Sequence, residues 1–217
     1  MVDPVIPTIA VIPSNGRPCL EQCISSLVNQ VDRIVVVQNG DGLIVHPDTI
    51  TITDPGSDMN ISRWWNLGID YAESVVNTEK WNTLVVNDDV IACHNLVETL
   101  SGEMRLNSSV LCYPNQYDNH RAFHRSAGPV DLHHRITGYC FMLRGEAKLR
   151  LDERFVWWYG DDDLDWTARR LGGSLLVPWC KVEHKFPNGT MMVYPELHEV
   201  ASKDRERFIE KWGHAPW

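Results

Sequence analysis

Apolar residues in this chain come in short, nearly unbroken runs that alternate with longer segments of helical period. Ile6 to Ile12 is the first such run, closed by Pro13-Ser14-Asn15-Gly16. A run that apolar suits a strand covered on both faces. Pro18, well placed for a first helical turn, opens a segment with Leu20, Cys23, Ile24, Leu27 and Val28 at helical spacing. Arg33 to Val37 predicts a second buried strand, ending in the turn sequence Gln38-Asn39-Gly40-Asp41-Gly42. Thr49 to Thr53 alternates Thr and Ile and predicts a short strand. Ile61 to Val76 puts Trp65, Ile69, Ala72 and Val76 on one helical stripe, and Thr83 to Asn87 returns to strand. The order strand–helix–strand–strand–helix–strand is that of a mainly parallel sheet covered by helices.

The second half is less regular. Val110 to Tyr113 and Tyr139 to Leu143 predict strands, Leu164 to Leu171 a short helix, Leu175-Leu176-Val177 and Val182 further strand. Glu196 to Trp212 predicts a closing helix with Leu197, Val200, Ala201, Phe208 and Trp212 on one side. The polar stretch Asn115 to Arg135 carries His120, His124, His133 and His134 without periodicity, as a functional loop would. With no repeat or linker, the 217 residues read as a single domain. Its parts would be a ligand-binding half (1–90), a catalytic half (91–193) and a closing helix (194–217).

Composition narrows the function classes. The hydrophobic fraction of 43% supports a full core, and nine Trp provide flat faces for packing or for stacking on rings. A net charge of −9 argues against nonspecific binding to nucleic acid or to anionic membrane. No apolar stretch approaches the ~20 residues that span a bilayer, and Met1 to Thr8 lacks a secretory pattern, so a cytoplasmic location is expected. Cys19, Cys23, Cys93, Cys112, Cys140 and Cys180 form no C-x-x-C pair and read as reduced thiols. The glycan acceptor patterns at Asn60, Asn107 and Asn188 read as chance in that setting.

Chemistry-bearing residues gather at the ends of predicted strands. Asn87-Asp88-Asp89 closes one buried run, Gly160-Asp161-Asp162-Asp163-Leu164 follows Trp157-Trp158-Tyr159, and His184 ends another run. Carboxylates at a buried strand's end are costly unless a cation or proton compensates them, and the carboxyl edge of an open α/β sheet is where ligands bind. Oxygen ligands with one imidazole suit Mg²⁺ or Mn²⁺ beside a phosphate-bearing ligand. Plainer readings stand beside these. Asn87-Asp88-Asp89 makes a good turn, Asp161 to Asp163 a good solvated helix start, and a lone His184 a good structural histidine. Three aromatics before an acidic run also make a sugar platform next to a general base. The loop Pro13-Ser14-Asn15-Gly16-Arg17-Pro18 joins a strand to a helix, where Arg17 could reach a phosphate. G-x-G-x-x-G and P-loop patterns are absent.

In order along the chain, these segments resemble glycosyltransferases of the GT-A fold, most closely the family 2 type. Ile12-Pro13-Ser14-Asn15-Gly16-Arg17-Pro18 is similar to that family's opening loop, and Val36-Val37-Gln38-Asn39-Gly40-Asp41 to its second strand. Arg63 with Asn66-Leu67-Gly68 is similar to its R-N-x-G helix, and Asn87-Asp88-Asp89 to its D-x-D. Thr137-Gly138-Tyr139-Cys140-Phe141-Met142-Leu143-Arg144, Leu151-Asp152-Glu153-Arg154-Phe155 and the Asp161 run resemble its later motifs, and Val177 to His184 its closing strand and histidine. The resemblance implies a Rossmann-like GT-A domain with a mainly parallel central sheet flanked by helices and a smaller acceptor-side subregion. It implies a nucleotide-sugar donor, with Pro13, Asn15, Gln38 and Asn39 bordering the base, Asp88 near the ribose, and Arg17, Arg63 and Asn87 on the donor side. Asp89 and His184 would hold Mn²⁺ or Mg²⁺. Asp161 would be the catalytic base, or Asp162 or Asp163 if the register shifts. Trp157, Trp158 and Tyr159 would hold sugar faces. Gln38, Asn87, Gly160 and Thr167 stand where the family carries other residues.

The implied reaction is sugar transfer to an acceptor hydroxyl of a carbohydrate, glycolipid or protein, with inversion, since one base serves one displacement. Two other classes fit the same carboxylates. A metal-dependent hydrolase would act on water, and a noncatalytic sugar- or nucleotide-binding module would bind without turnover.

Overall fold

The computed structural model describes residues 6–41, 44–56, 58–114, 120–186 and 189–217. Gly42 of the turn after the second strand, 115–119 of the His-rich stretch and Asn188 of one glycan pattern lie outside them. The first half runs β1 (Thr8–Ser14), α1 (Leu20–Leu27), β2 (Arg33–Gln38), β3 (Thr49–Thr53), α2 (Ile61–Val75) and β4 (Asn82–Val86). The second half runs β5 (Val90–Ala92), α3 (Leu96–Leu106), β6 (Leu111–Pro114), β7 (Ala122–His124), β8 (Cys140–Arg144), α4 (Gly160–Leu171), β9 (Ser174–Val177), β10 (Val182–His184), α5 (Gly189–Val193) and α6 (Leu197–Trp212).

Among the described residues, eight strands form one sheet in the order β3-β2-β1-β4-β8-β6-β9-β7. The first four run parallel, β8 runs against both β4 and β6, β9 is parallel to β6, and β7 closes the edge antiparallel. The expected mainly parallel sheet flanked by helices is therefore present. Period-two alternation decides which face each residue serves. Ala10, Ile12, Val36, Leu84 and Met142 meet α1 and α3, whereas Val11, Val37, Val85, Phe141 and Leu176 meet α2 and α4. Both faces are covered, so these strands read as apolar runs. Helix α2 starts on Asn60, whose side chain accepts from the Arg63 N–H at 3.0 Å. It crosses β1 at Gly68, where a Cβ would collide with the side chain of Val11.

Some expectations needed correction. The first strand runs through Pro13 instead of stopping there. Its pairing with β4 ends at Val11, so Pro13, paired with β2 alone, sits beyond the last β4 bond. Helix α1 begins two residues after Pro18, and α4 begins at Gly160, not Leu164. Helix α3 was not anticipated, although Leu96, Val97, Leu100 and Met104 have helical spacing and are buried. The polar stretch to Arg135 holds strand β7 and a 3₁₀ turn at Leu132–His134.

On β7, His124 is half-buried, and its Nε2 has no hydrogen-bond partner among the described residues. Burial and then the charge of Arg169 lower its pKa from 6.5 to about 4. The unfolded chain therefore takes up this proton at higher pH than the folded one. Stability from neutral His124 is complete above pH 6.5 and is lost as pH falls towards 4. His124→Gln should flatten the fall of melting temperature across that window. An unchanged slope would mean that His124 does not contribute to it.

Candidate active site

Parallel strands β1 to β4 bring their carboxyl ends to one edge. There Ser14 Oγ donates to Asp88 Oδ2 at 2.6 Å, and Arg17 Nε donates to the same oxygen at 3.2 Å. The Arg17 guanidinium also bonds Asp88 Oδ1 and lies 3.4 Å from Asp89 Oδ2. Burial alone would lower the Arg17 pKa, but Asp88 and Asp89 outweigh it and raise it. Both aspartates are almost fully buried.

His184 reaches this edge because β10 pairs with β5, His184 opposite Val90. Its Nε2 lies 3.3 Å from Asp89 Oδ1, without hydrogen-bond geometry. Its ring stacks on Tyr139 at 4.3 Å between centroids. Asp89 Oδ1 and Asn87 Oδ1 are buried without a hydrogen-bond donor among the described residues, which buried oxygens seldom tolerate. Arg17 supplies one charge against two carboxylates. A free carboxylate oxygen beside an imidazole nitrogen is a donor set that fits Mn²⁺ or Mg²⁺. Among the described residues no group of three or more His, Cys, Asp or Glu side chains is arranged to hold a metal ion by itself, so such an ion would need oxygens from its ligand or from water.

The other expected donor-side residues are spread along the same edge. Gln38 is buried, its amide donating to the Gly40 carbonyl at 3.2 Å and accepting from the Ile44 N–H at 3.0 Å. That neutral side chain is committed to shaping its own turn. Asn39 N–H bonds the Ser14 carbonyl at 3.0 Å, Pro13 is buried in its strand, and Asn15 is exposed against Gly40. Arg63 is held by Asp54 at 2.8 Å and Asp58 at 3.1 Å, and Trp64 Nε1 joins Asp54 at 2.7 Å. The same edge thus carries a second ion cluster at the β3 end, Arg63 between the buried side chain of Asp54 and exposed Asp58.

The acidic run opens α4 and divides by partner. Asp162 is paired with Arg135, Nε at 2.5 Å, and burial pushes its pKa up to about 7 against that charge. Asp163 binds Lys211 at 2.9 Å and Trp212 Nε1 at 2.7 Å, tying α4 to α6. Asp161 is half-exposed and has no hydrogen bond or ion pair among the described residues. Its carboxylate lies over Gly138, where a Cβ would come within 2.6 Å of Oδ2. The next residue, Tyr139, accepts from the Asn87 N–H at 2.9 Å. Asp161 at Gly138 and His184 on the Tyr139 ring are thus held by adjacent residues of one turn.

Gly138→Ala should displace the Asp161 carboxylate, because the new Cβ would come within 2.6 Å of Oδ2, 3.0 Å of Cγ and 3.3 Å of Cβ, and the side chain can turn away at modest cost. We expect a near-parental melting temperature and turnover down by on the order of 10²-fold, as misplacement by about an ångström can cause. Parental turnover would remove Asp161 from the reacting position.

The three aromatics have different surroundings. Trp157 packs edge-on against Trp64 at 6.2 Å. Tyr159 is buried in the left-handed region (φ 65°) and stacks on Trp217 at 5.3 Å. Trp158 is half-buried and borders an open cleft. Backbone N–H groups of Val156, Trp157 and Trp158 all donate to Asp204 Oδ2, at 3.0, 2.8 and 3.0 Å. Asp204, Arg135, Ser14 and Gly138 had not been singled out. Asp204 was visible as an acid on the apolar stripe of the last helix.

No family model matches the chain, and no curated protein does. Among solved structures, residues 1–349 of S. aureus TarS match it with a TM-score of 0.56 at 14% identity. The match covers 87% of this chain and 63% of that one, so this chain spans less than two thirds of its length. The shared architecture is a Rossmann-like α/β fold, a mostly parallel central sheet flanked by helices. Among the described residues, no helix is long and apolar enough to cross a membrane.

Proposed function

We propose that this protein transfers a sugar from a nucleotide-sugar donor to an acceptor hydroxyl, with inversion and with a divalent cation. The observation that carries the reading is the placing of carboxylates along one turn, Gly138–Tyr139. Asp88, Asp89 and His184 gather at the Tyr139 end of this turn, and Asp161 lies over Gly138 with no hydrogen bond or ion pair among the described residues. The glycosyltransferase-like fold supports it at the level of reaction class.

In this reading Asp89 Oδ1 and His184 Nε2 hold the cation. When bound, Mn²⁺ or Mg²⁺ supplies charge that stabilises the leaving diphosphate. Arg17, fixed by Asp88, presents its remaining N–H groups to diphosphate oxygens. Asp161 accepts the proton of the acceptor hydroxyl as its oxygen bonds the anomeric carbon. The bond from that carbon to the diphosphate breaks, the nucleoside diphosphate leaves, and a single displacement inverts the centre.

The test is a thermal-shift screen of nucleotide sugars with Mn²⁺. At a hundredfold excess over Kd a true donor adds about 2.7 kcal/mol. For a chain of this size that is about 5–10 °C. EDTA should abolish the shift, and so should Asp89→Asn. Calorimetric donor binding that survives EDTA would remove the cation from the site. Nucleoside diphosphate release that ignores added acceptors would favour hydrolysis instead.

A further inference from the structure

A cleft of about 380 Å³ opens between the Trp158–Tyr159 turn and helices α5 and α6, lined by Trp158, Tyr159, Met191, His198, Ser202 and Arg205 among others. Its size suits a small ligand, and its walls are mostly aromatic and thioether with a few polar groups, as binding clefts are. The two residues at its rim directly precede Gly160 and Asp161. Tyr159 is also the residue from which α4 starts, so the cleft wall and the Asp161 carboxylate are joined by two residues of chain.

The cleft's charge runs against that of the protein. The whole chain carries −9, yet among the described residues no carboxylate lines the cleft, and its charged or chargeable groups are Arg205 and His198. On α6, Glu199 pairs with Lys203 at 2.6 Å and Asp204 with Arg207 at 2.7 Å, and neither Glu206 nor Glu210 lines the cleft. Arg205 has no ion pair or hydrogen bond among the described residues. A guanidinium and a half-buried indole lining one cleft are suited to a ring that carries an oxyanion.

We propose that this cleft is the acceptor subsite and that it selects a sugar acceptor bearing an oxyanion, phosphate or carboxylate. The ring packs on Trp158 and Met191, the oxyanion meets Arg205 with His198 at its side, and the free hydroxyl faces Asp161. This rests on the transfer reading, because the ligand is named acceptor for its position next to Asp161.

The experiment is calorimetry on the whole chain with three probes, glucose 6-phosphate, glucuronate and glucose, on the parent and on Arg205→Gln. Arg205 is on the exposed side of α6, so the variant should keep its melting temperature. Charged probes should bind about tenfold or more tighter than glucose, as a charge-assisted pair would produce. Arg205→Gln should erase that preference, and Trp158→Ala should weaken all three probes. The stronger of the two charged probes tells phosphate from carboxylate. Equal binding of charged and neutral probes, or a preference that survives Arg205→Gln, overturns the proposal. So does displacement of the charged probes by nucleoside diphosphates with Mn²⁺, since that puts them on the donor side. If no nucleoside diphosphate binds while the Arg205-dependent preference holds, the transfer reading fails and the oxyanion site stands.

Discussion

Asp161→Asn is expected to lower turnover by ~10²–10⁴-fold while leaving donor affinity and melting temperature close to parental. The three neighbouring aspartates have unequal surroundings, and among the described residues only Asp161 has a carboxylate without a partner. Asp163 is committed to Lys211 and Trp212. Asp162 has a pKa near neutrality, about 7, which by itself would suit a base. It is only 1% exposed, however, and both its oxygens are bonded to Arg135. A base must touch the hydroxyl it deprotonates, so geometry outweighs the favourable pKa. Asp162→Asn should therefore act through folding, by leaving Arg135 without its counter-charge. Steady-state release of nucleoside diphosphate, calorimetry of the donor and a melting curve on each variant separate these effects. Full activity of Asp161→Asn would end its assignment as base. Loss of activity in Asp162→Asn at unchanged stability would move the role by one residue.

Much of this fold could be read in the chain because the strands are covered on both faces. Val35-Val36-Val37 and Leu84-Val85-Val86 have no exposed side to dilute the apolar signal, and Thr49 to Thr53 matched residue for residue. Strand ends were legible within one or two residues, so the carboxylates following them could be placed on a common edge. What escaped depends on partners distant in sequence. Nothing local tells Asp161 from Asp162, since Arg135 lies 27 residues from the latter. Gln38 looks like a substituted ligand until its bonds to Gly40 and Ile44 show it holding its own turn. Tyr159 and Trp158 are adjacent and both line the cleft, yet Tyr159 is buried with its ring stacked on Trp217 and Trp158 is half-exposed. Helix α3 was legible and passed over.

Asp204→Ala is expected to destabilise the protein by about 3–5 kcal/mol, near the upper end for a single substitution. Leu197, Ala201, Asp204 and Phe208 form the buried stripe of α6, so the carboxylate enters the core where an apolar residue would be usual. Its burial is compensated by three consecutive backbone N–H groups on one oxygen and by Arg207 at 2.7 Å on the other. Alanine would leave those donors in a dry site, each costing about 1–3 kcal/mol unless water enters. At about 2–4 °C per kcal/mol, the melting temperature should fall by about 6–20 °C. Asp204→Asn keeps an acceptor oxygen but gives up its charge, so it should lose less. The same three N–H groups fix the turn that carries Trp158 and Tyr159 to the start of α4. The asparagine variant, assayed well below its melting temperature, should therefore show weaker acceptor recognition at unchanged donor affinity. If Asp204→Ala melts within about 2 °C of the parent, water satisfies the turn and Asp204 does not hold it. If Asp204→Asn loses stability but keeps its acceptor KM, α6 braces the fold without shaping the cleft.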